Sequence, residues 1–216
     1  MGKRTATAIR KDGISDGNTE DGSVYRAEYE KLTAVIEKFF WDEEKGAYID
    51  SFTSGRRNVT RHANIFAILF SVADEKKQEK ILKNVLENDE IPAITTPYFN
   101  FFELDVLCRM GKLTEVLDKI RSYWGGMLDL GAVTFWEEYD PSVPKEEQYD
   151  MYGDHFGKSL CHAWAASPIY FLAKYFAGLD LVNKDGVTYI LKPQMQYFTE
   201  LDCTLPVGSN GVVRLV

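Results

Sequence analysis

The chain has 216 residues, 45% hydrophobic and 27% charged, a composition that suits a folded protein with one substantial core and sets disorder aside for most of its length. Its 25 basic residues against 33 acidic ones give a net charge of −8 with no basic stripe, which argues against a nucleic-acid partner. No apolar run reaches the length of a bilayer span, and Met-Gly-Lys-Arg at the start leads into polar residues, so neither a membrane segment nor a signal peptide is expected.

Residues 1–24 are rich in Gly, Asp, Ser, Thr and Lys and are expected to form a flexible lead-in, with order starting near Val24. Six helical segments of two alternating characters follow. The first, about 26–40, places Leu32, Val35, Ile36, Phe39 and Phe40 on one stripe, whereas the second, about 62–73, is apolar nearly all round. The third (about 75–88) and the fifth (about 112–124) repeat the striped type, and the fourth (about 97–109) and the sixth (about 156–177) repeat the apolar one. Striped helices have one wet face and apolar helices have none, so the alternation predicts two nested layers built from three outer–inner hairpins. The expected fold is therefore mainly α, a partial (α/α)6 toroid over residues 25–180, with a self-contained six-helix array as the alternative. After Gly178, short β-branched stretches at 187–191, 199–205 and 212–216 predict the strands of a C-terminal β-domain over 181–216.

Candidate chemistry gathers where apolar helices begin. Arg61-His62-Ala-Asn64 opens the second helix, Thr95-Thr-Pro-Tyr98 opens the fourth, and a connection at 125–157 carrying Trp136, Glu137 and Glu138 leads into the sixth. In a toroid these would share one mouth. A connection that long is expected to serve a site. Its indole beside a carboxylate pair is suited to a sugar, since an aromatic face packs on a pyranose while a carboxylate activates water. His162 is placed one turn into the sixth helix, beneath the connection that carries Trp136 and Glu137, and Pro168 is expected to bend that helix. Cys108, Cys161 and Cys203 are read as buried free thiols. No metal-ligand or cofactor motif is found.

Gly131-Ala-Val-Thr-Phe-Trp-Glu137 followed by Ser159-Leu-Cys-His162 resembles the Gly-Ala-Thr-Thr-x-Trp-Glu and Ser-Leu-Asn-His motifs of the α-L-rhamnosidases of glycoside hydrolase family 78. His62-Ala-Asn64 and Trp124-Gly-Gly-Met127 are similar to the same family. Val133 and Cys161 depart from it, standing where threonine and asparagine are usual. The resemblance implies an inverting exo-glycosidase that removes terminal α-L-rhamnose from a glycoside or polysaccharide without a cofactor. On that basis Glu137 matches the general base, and His62, Asn64, Tyr98, Trp136, Glu138, His162 and Trp164 line the sugar site. The family's general acid lies in an acidic motif with no counterpart in residues 1–25. The resemblance thus implies the C-terminal piece of a larger enzyme, partnered by the remainder of its parent polypeptide and inactive alone. Two alternatives stand beside it: an (α/α)6 glycosidase for another sugar, and a helical domain that binds glycans without cleaving them.

Overall fold

A computed structural model describes residues 19–182 and 188–216. The lead-in expected over residues 1–18 and the expected strand position Val187 lie outside the described residues. The chain falls into two compact units that divide after Ile94.

In the first unit, α1 (Thr19–Phe40) begins before Val24, so the end of the expected lead-in is helical. Directly after it come β1 (Trp41–Asp42) and β2 (Ala47–Tyr48), an antiparallel hairpin pairing Trp41 with Tyr48, which the sequence reading missed. Its turn is fixed by Asp42, whose Oδ1 accepts from the amides of Glu44 and Lys45 at 3.1 Å each. The other carboxylate oxygen accepts from Arg57 Nε and Nη2 at 3.0 and 2.8 Å. This guanidinium contact, ahead of the amide bonds, holds the Asp42 carboxyl below the usual carboxylate range.

Thr60 opens α2 (Arg61–Leu69), its hydroxyl accepting from the Ala63 amide at 3.4 Å. Asp74 does the same for α3 (Glu75–Ile81), taking the Lys77 amide at 2.9 Å. A wider π-type turn at Leu82–Leu86 extends α3. Tyr48, Ile49, Ile65, Ile81 and Val85 form the core of this unit, each at most 2% exposed. Arg61 is buried there, and its guanidinium donates to the carbonyls of Leu86 (2.9 Å), Asn88 (3.2 Å) and Ile91 (3.4 Å). It thereby satisfies acceptors left over where the helical turns end.

The second unit opens with α4 (Pro97–Arg109), whose proline occupies the first turn, where no amide donor is needed. This helix packs against α5 (Leu113–Lys119) and α7 (Ser167–Phe171). The buried Glu103 carboxylate of α4 is paired with Lys119 of α5 at 2.5 Å. A π-type turn at Ile120–Trp124 carries α5 into α6 (Gly125–Asp129), so the helical run passes the expected end at 124. Gly126 is required there, because a Cβ would stand 2.4 Å from the Tyr139 hydroxyl.

The sixth helix is shorter than expected. Residues 156–162 form turns, Ala163–Ala165 a single 3-10 turn, and α7 starts only at Ser167 before closing in a π-type turn at Leu172–Phe176. His162 therefore precedes any helix, with φ −124° and ψ 112°. Pro168 sits in the first turn of α7, where it starts the helix instead of bending it.

Beyond Gly178 the described residues form two β-hairpins with a 3-10 turn at Met195–Tyr197 between them. The hairpin of β3 (Leu179–Leu181) with β4 (Tyr189–Leu191) is followed by that of β5 (Cys203–Val207) with β6 (Gly211–Leu215), both antiparallel. A mainly α chain followed by short strands is the fold the sequence predicts. The thiols differ from expectation, since Cys108 is buried but Cys161 is exposed.

Candidate functional site

The connection between α6 and α7 contains only short 3-10 turns, at Lys145–Glu147 and Ala163–Ala165, but is laced together residue by residue. Glu137 N donates to Ser159 O at 2.9 Å and His162 N to Phe135 O at 2.8 Å, and the Thr134 hydroxyl donates to Leu160 O. Gln148, 3% exposed, ties the outer loop by donating to the carbonyls of Asp140 (2.6 Å) and Val143 (2.8 Å). Tyr139 N binds Thr95 O at 3.3 Å and the Tyr123 hydroxyl at 3.2 Å, anchoring the connection to the segment that leads into α4.

This lacing brings the two motif segments side by side. The Glu137 side chain turns toward Ser159, whose amide donates to Oε2 at 3.1 Å, and it lies 3.8 Å from His162 Nδ1. That separation suits an ion pair when the imidazole is protonated and is too long for a hydrogen bond. His162 stacks on Trp164 with ring centroids 4.0 Å apart and 29° between planes. Trp164 donates its indole N–H toward Glu137 O at 3.4 Å and meets Tyr98 at 5.5 Å between centroids. Tyr98 and Trp164 remain 44% and 43% exposed, leaving an aromatic ledge open to solvent beside a largely covered carboxylate. Glu138 Oε1 accepts from the Thr95 hydroxyl at 3.0 Å.

Trp136 does not join this ledge. It is 3% exposed, with its ring 5.6 Å from that of Tyr149, so its indole is part of the packing beneath the connection and offers no face to a ligand. Trp164, also among the expected site residues, is the tryptophan left open beside Glu137.

Of the remaining expected site residues, His62 and Asn64 belong to the first unit. His62 is exposed on the wall of a groove of about 920 Å³ that Asp50, Arg61, Lys83, Glu90 and Ile91 also line. Asn64 is fully buried. Its Oδ1 accepts from Tyr48 N at 2.8 Å, and its Nδ2 donates to Tyr48 O and Thr60 O at 2.9 Å each. With both ends of its amide bound to backbone, Asn64 fastens the β1–β2 hairpin and has no group to give a sugar.

One charged neighbour escaped the sequence reading. Lys158 is 8% exposed, and burial holds its ammonium below the usual lysine range against the opposing pull of Glu138, Asp140, Asp150 and Glu137. Nothing in Gly-Lys-Ser distinguishes such a lysine from a surface one.

The described residues are mainly helical and gather a carboxylate, an imidazole and an open indole on one laced connection. The model of the bacterial alpha-L-rhamnosidase 6 hairpin glycosidase domain matches residues 4–176, and the chain belongs to that family. Among solved structures it is similar to a rhamnosidase from Klebsiella oxytoca with rhamnose bound, at 31% identity and a TM-score of 0.65. That match covers 73% of this chain and 30% of the other. It is also similar to the GH78 family rhamnosidase of Bacillus sp. GL1, at 28% identity and a TM-score of 0.79, over 97% of this chain and 22% of that one. The chain thus spans less than a third of the length of either structure. No curated protein matches it.

Proposed function

We propose that this chain supplies the general-base half of an inverting α-L-rhamnosidase site that acts on terminal rhamnose of a glycoside or polysaccharide. The observation that carries this reading is the Glu137 carboxylate, held by the Ser159 amide and set 3.8 Å from His162 beside the open Tyr98–Trp164 ledge. Oε2 takes the amide bond, and Oε1 has no hydrogen-bond partner among the described residues, leaving an acceptor for a water molecule. Drawing a proton from that water as it attacks the anomeric carbon is general-base catalysis. The indole of Trp164 and the ring of Tyr98 suit the apolar face of a 6-deoxy sugar, and His162 and Glu138 suit its hydroxyls.

An inverting pair needs a second carboxyl, protonated, on the far side of the sugar, about 6.5–9.5 Å from the base. On this reading that acid comes from the rest of a longer polypeptide, in keeping with the small share of each solved rhamnosidase that the chain spans. The test is Glu137→Gln in the complete polypeptide, assayed on an aryl rhamnoside. The expected result is a loss of about 10²- to 10⁴-fold in kcat with rhamnose binding retained. A wild-type rate would move the base elsewhere, with Glu138 the next residue to replace. Rhamnose binding without turnover in the wild-type polypeptide would instead favour a glycan-binding role.

A further inference from the structure

The α6–α7 connection carries an exposed hairpin tip built on a residue type that such a tip disfavours. Met151 and Asp154 exchange both backbone hydrogen bonds at 3.0 Å, which leaves Tyr152-Gly153 as a two-residue turn with φ +56° and +81°. Positive φ at both central positions defines a type I′ turn, whose first position is suited to Asn, Asp or Gly. A bulky aromatic residue is strained there, and strain of this kind persists where the surroundings fix it, most often at binding and catalytic sites. Packing does not account for the tyrosine, since Tyr152 is 88% exposed. Phe156, on the same loop, is 73% exposed and meets His155 at 4.5 Å between ring centroids. The loop that presents these rings is fixed from within. Asp154 O accepts from Gly157 N at 3.1 Å, Asp154 Oδ1 from Phe156 N at 3.2 Å, and Tyr149 O from Lys158 N at 3.2 Å. Gly157 has no room for a side chain, because a Cβ would stand 2.2 Å from Met151 O.

We propose that Tyr152, His155 and Phe156 form the subsite for the leaving-group sugar, the pyranose to which terminal rhamnose is joined. The inference rests on the reading of Glu137 as the base of a rhamnosidase site and extends that site by one sugar ring. Two observations place the loop beside that carboxylate. Ser159, whose amide holds Glu137 Oε2, follows Phe156 by three residues, so their Cα atoms are at most about 11 Å apart. The bond from Lys158 N to Tyr149 O ties the other end of the loop to the same point. An enzyme that removes a terminal sugar holds the rest of its substrate further toward solvent than the reacting ring, and Tyr152 and Phe156 carry the most exposed Tyr, Phe or Trp rings of this connection. The chemistry of the loop favours a sugar over a purely apolar group. Asp150 Oδ1 lies 2.6 Å from His155 Nδ1, which makes Nδ1 the donor and leaves Nε2 of the neutral ring as an acceptor. That acceptor and the Tyr152 hydroxyl suit the hydroxyl rim of a pyranose, while the rings of Tyr152 and Phe156 suit its C–H face.

The experiment compares the complete polypeptide as wild type, Tyr152→Asn and Phe156→Ala. For each, kcat/KM is measured on an α-L-rhamnosyl-glucose disaccharide, on an aryl rhamnoside and on methyl α-L-rhamnoside, which has no leaving-group ring. In each variant the ratio of the disaccharide value to the methyl value should fall about tenfold, the size of one lost ring contact. An unchanged ratio in Tyr152→Asn overturns the proposal. So does a fall for the aryl rhamnoside without one for the disaccharide, which would make the loop a platform for apolar groups. Asn-Gly is the preferred pair for a type I′ turn, so Tyr152→Asn should raise the thermal midpoint while it lowers the ratio. A midpoint several degrees below wild type would mean that the tyrosine serves the fold, and overturns the proposal. If the wild-type polypeptide binds rhamnose without cleaving it, calorimetric affinities for the disaccharide and for rhamnose give the corresponding ratio, whose fall or constancy in the variants decides the subsite in the same way. Retained turnover in Glu137→Gln together with a lowered ratio in Tyr152→Asn would refute the base assignment alone.

Discussion

Asn64 offers the sharpest test of how the first unit is held. Tyr48 sits on β2 with β1 along one edge, and on the other edge its N–H and C=O are both taken by the Asn64 amide, which stands in for a third strand. The site is closed to water, Tyr48 being 2% exposed and Asn64 not at all. Asn64→Ala therefore strands a buried donor and a buried acceptor, each worth about 1–3 kcal/mol when left unmade. A loss of about 3 kcal/mol follows, and with a urea slope of roughly 2 kcal/mol/M the denaturation midpoint should fall by about 1.5 M. Asn64→Asp should fare no better. It keeps the acceptor for Tyr48 N but turns a carboxylate oxygen toward the carbonyls of Tyr48 and Thr60, where the amide had donated. Circular dichroism in urea gives both numbers. A loss under about 1 kcal/mol in both variants would refute the strand-substitute argument, and an unchanged midpoint with weakened rhamnose binding would return Asn64 to the sugar.

Gly178 has φ +72°, and a Cβ there would lie 2.0 Å from Lys192 O, a backbone atom within the hairpin that β3 and β4 form. Gly178→Ala should lower the thermal midpoint by several degrees through strain alone, and an unchanged midpoint would mean that the β3–β4 hairpin is not formed as described. Asp42 carries a pH dependence of known sign. Its folded-state pKa is depressed, chiefly by Arg57, so its stabilising effect is fully present above the unfolded value near pH 4 and is lost as pH falls through the lower folded value. Arg57→Ala should flatten that acid-side loss, as read from urea midpoints between about pH 2 and 6. A slope identical to wild type would mean that the Arg57–Asp42 contact is not maintained in solution.

The helical part of this architecture was legible because its signal is periodic. Leu113, Val116, Leu117 and Ile120 recur at helical spacing, and Pro97 marks the start of α4 to the residue. What escaped is local and polar. The β1–β2 hairpin is only two residues per strand, too short for alternation to register, and depends on Asp42 and Asn64 side chains whose partners are far away in sequence. The sixth helix was over-extended because Ser159-Leu-Cys-His-Ala-Trp-Ala-Ala has the composition of a helix. The backbone groups of Ser159 and His162 are instead bound to Glu137 and Phe135, which no helix permits. Lys158 was invisible for a related reason, since a lysine's burial is decided by what folds over it.

Trp164, and not Trp136, stands open beside Glu137. Residues 135–137 are joined to 159–162 by two backbone bonds, from Glu137 N to Ser159 O and from His162 N to Phe135 O, without forming a regular strand pair. The Glu137 side chain is directed at Ser159 and His162, whereas that of Trp136 enters the packing with Tyr149. Adjacency in sequence thus does not give the indole and the carboxylate the same surroundings, since Trp136 is 3% exposed and packed on Tyr149 while Glu137 lies against Ser159 and His162. The aromatic ring that stands open beside that carboxylate comes from another segment, because Trp164 folds back from just before α7 with its N–H on the Glu137 carbonyl and its ring against His162.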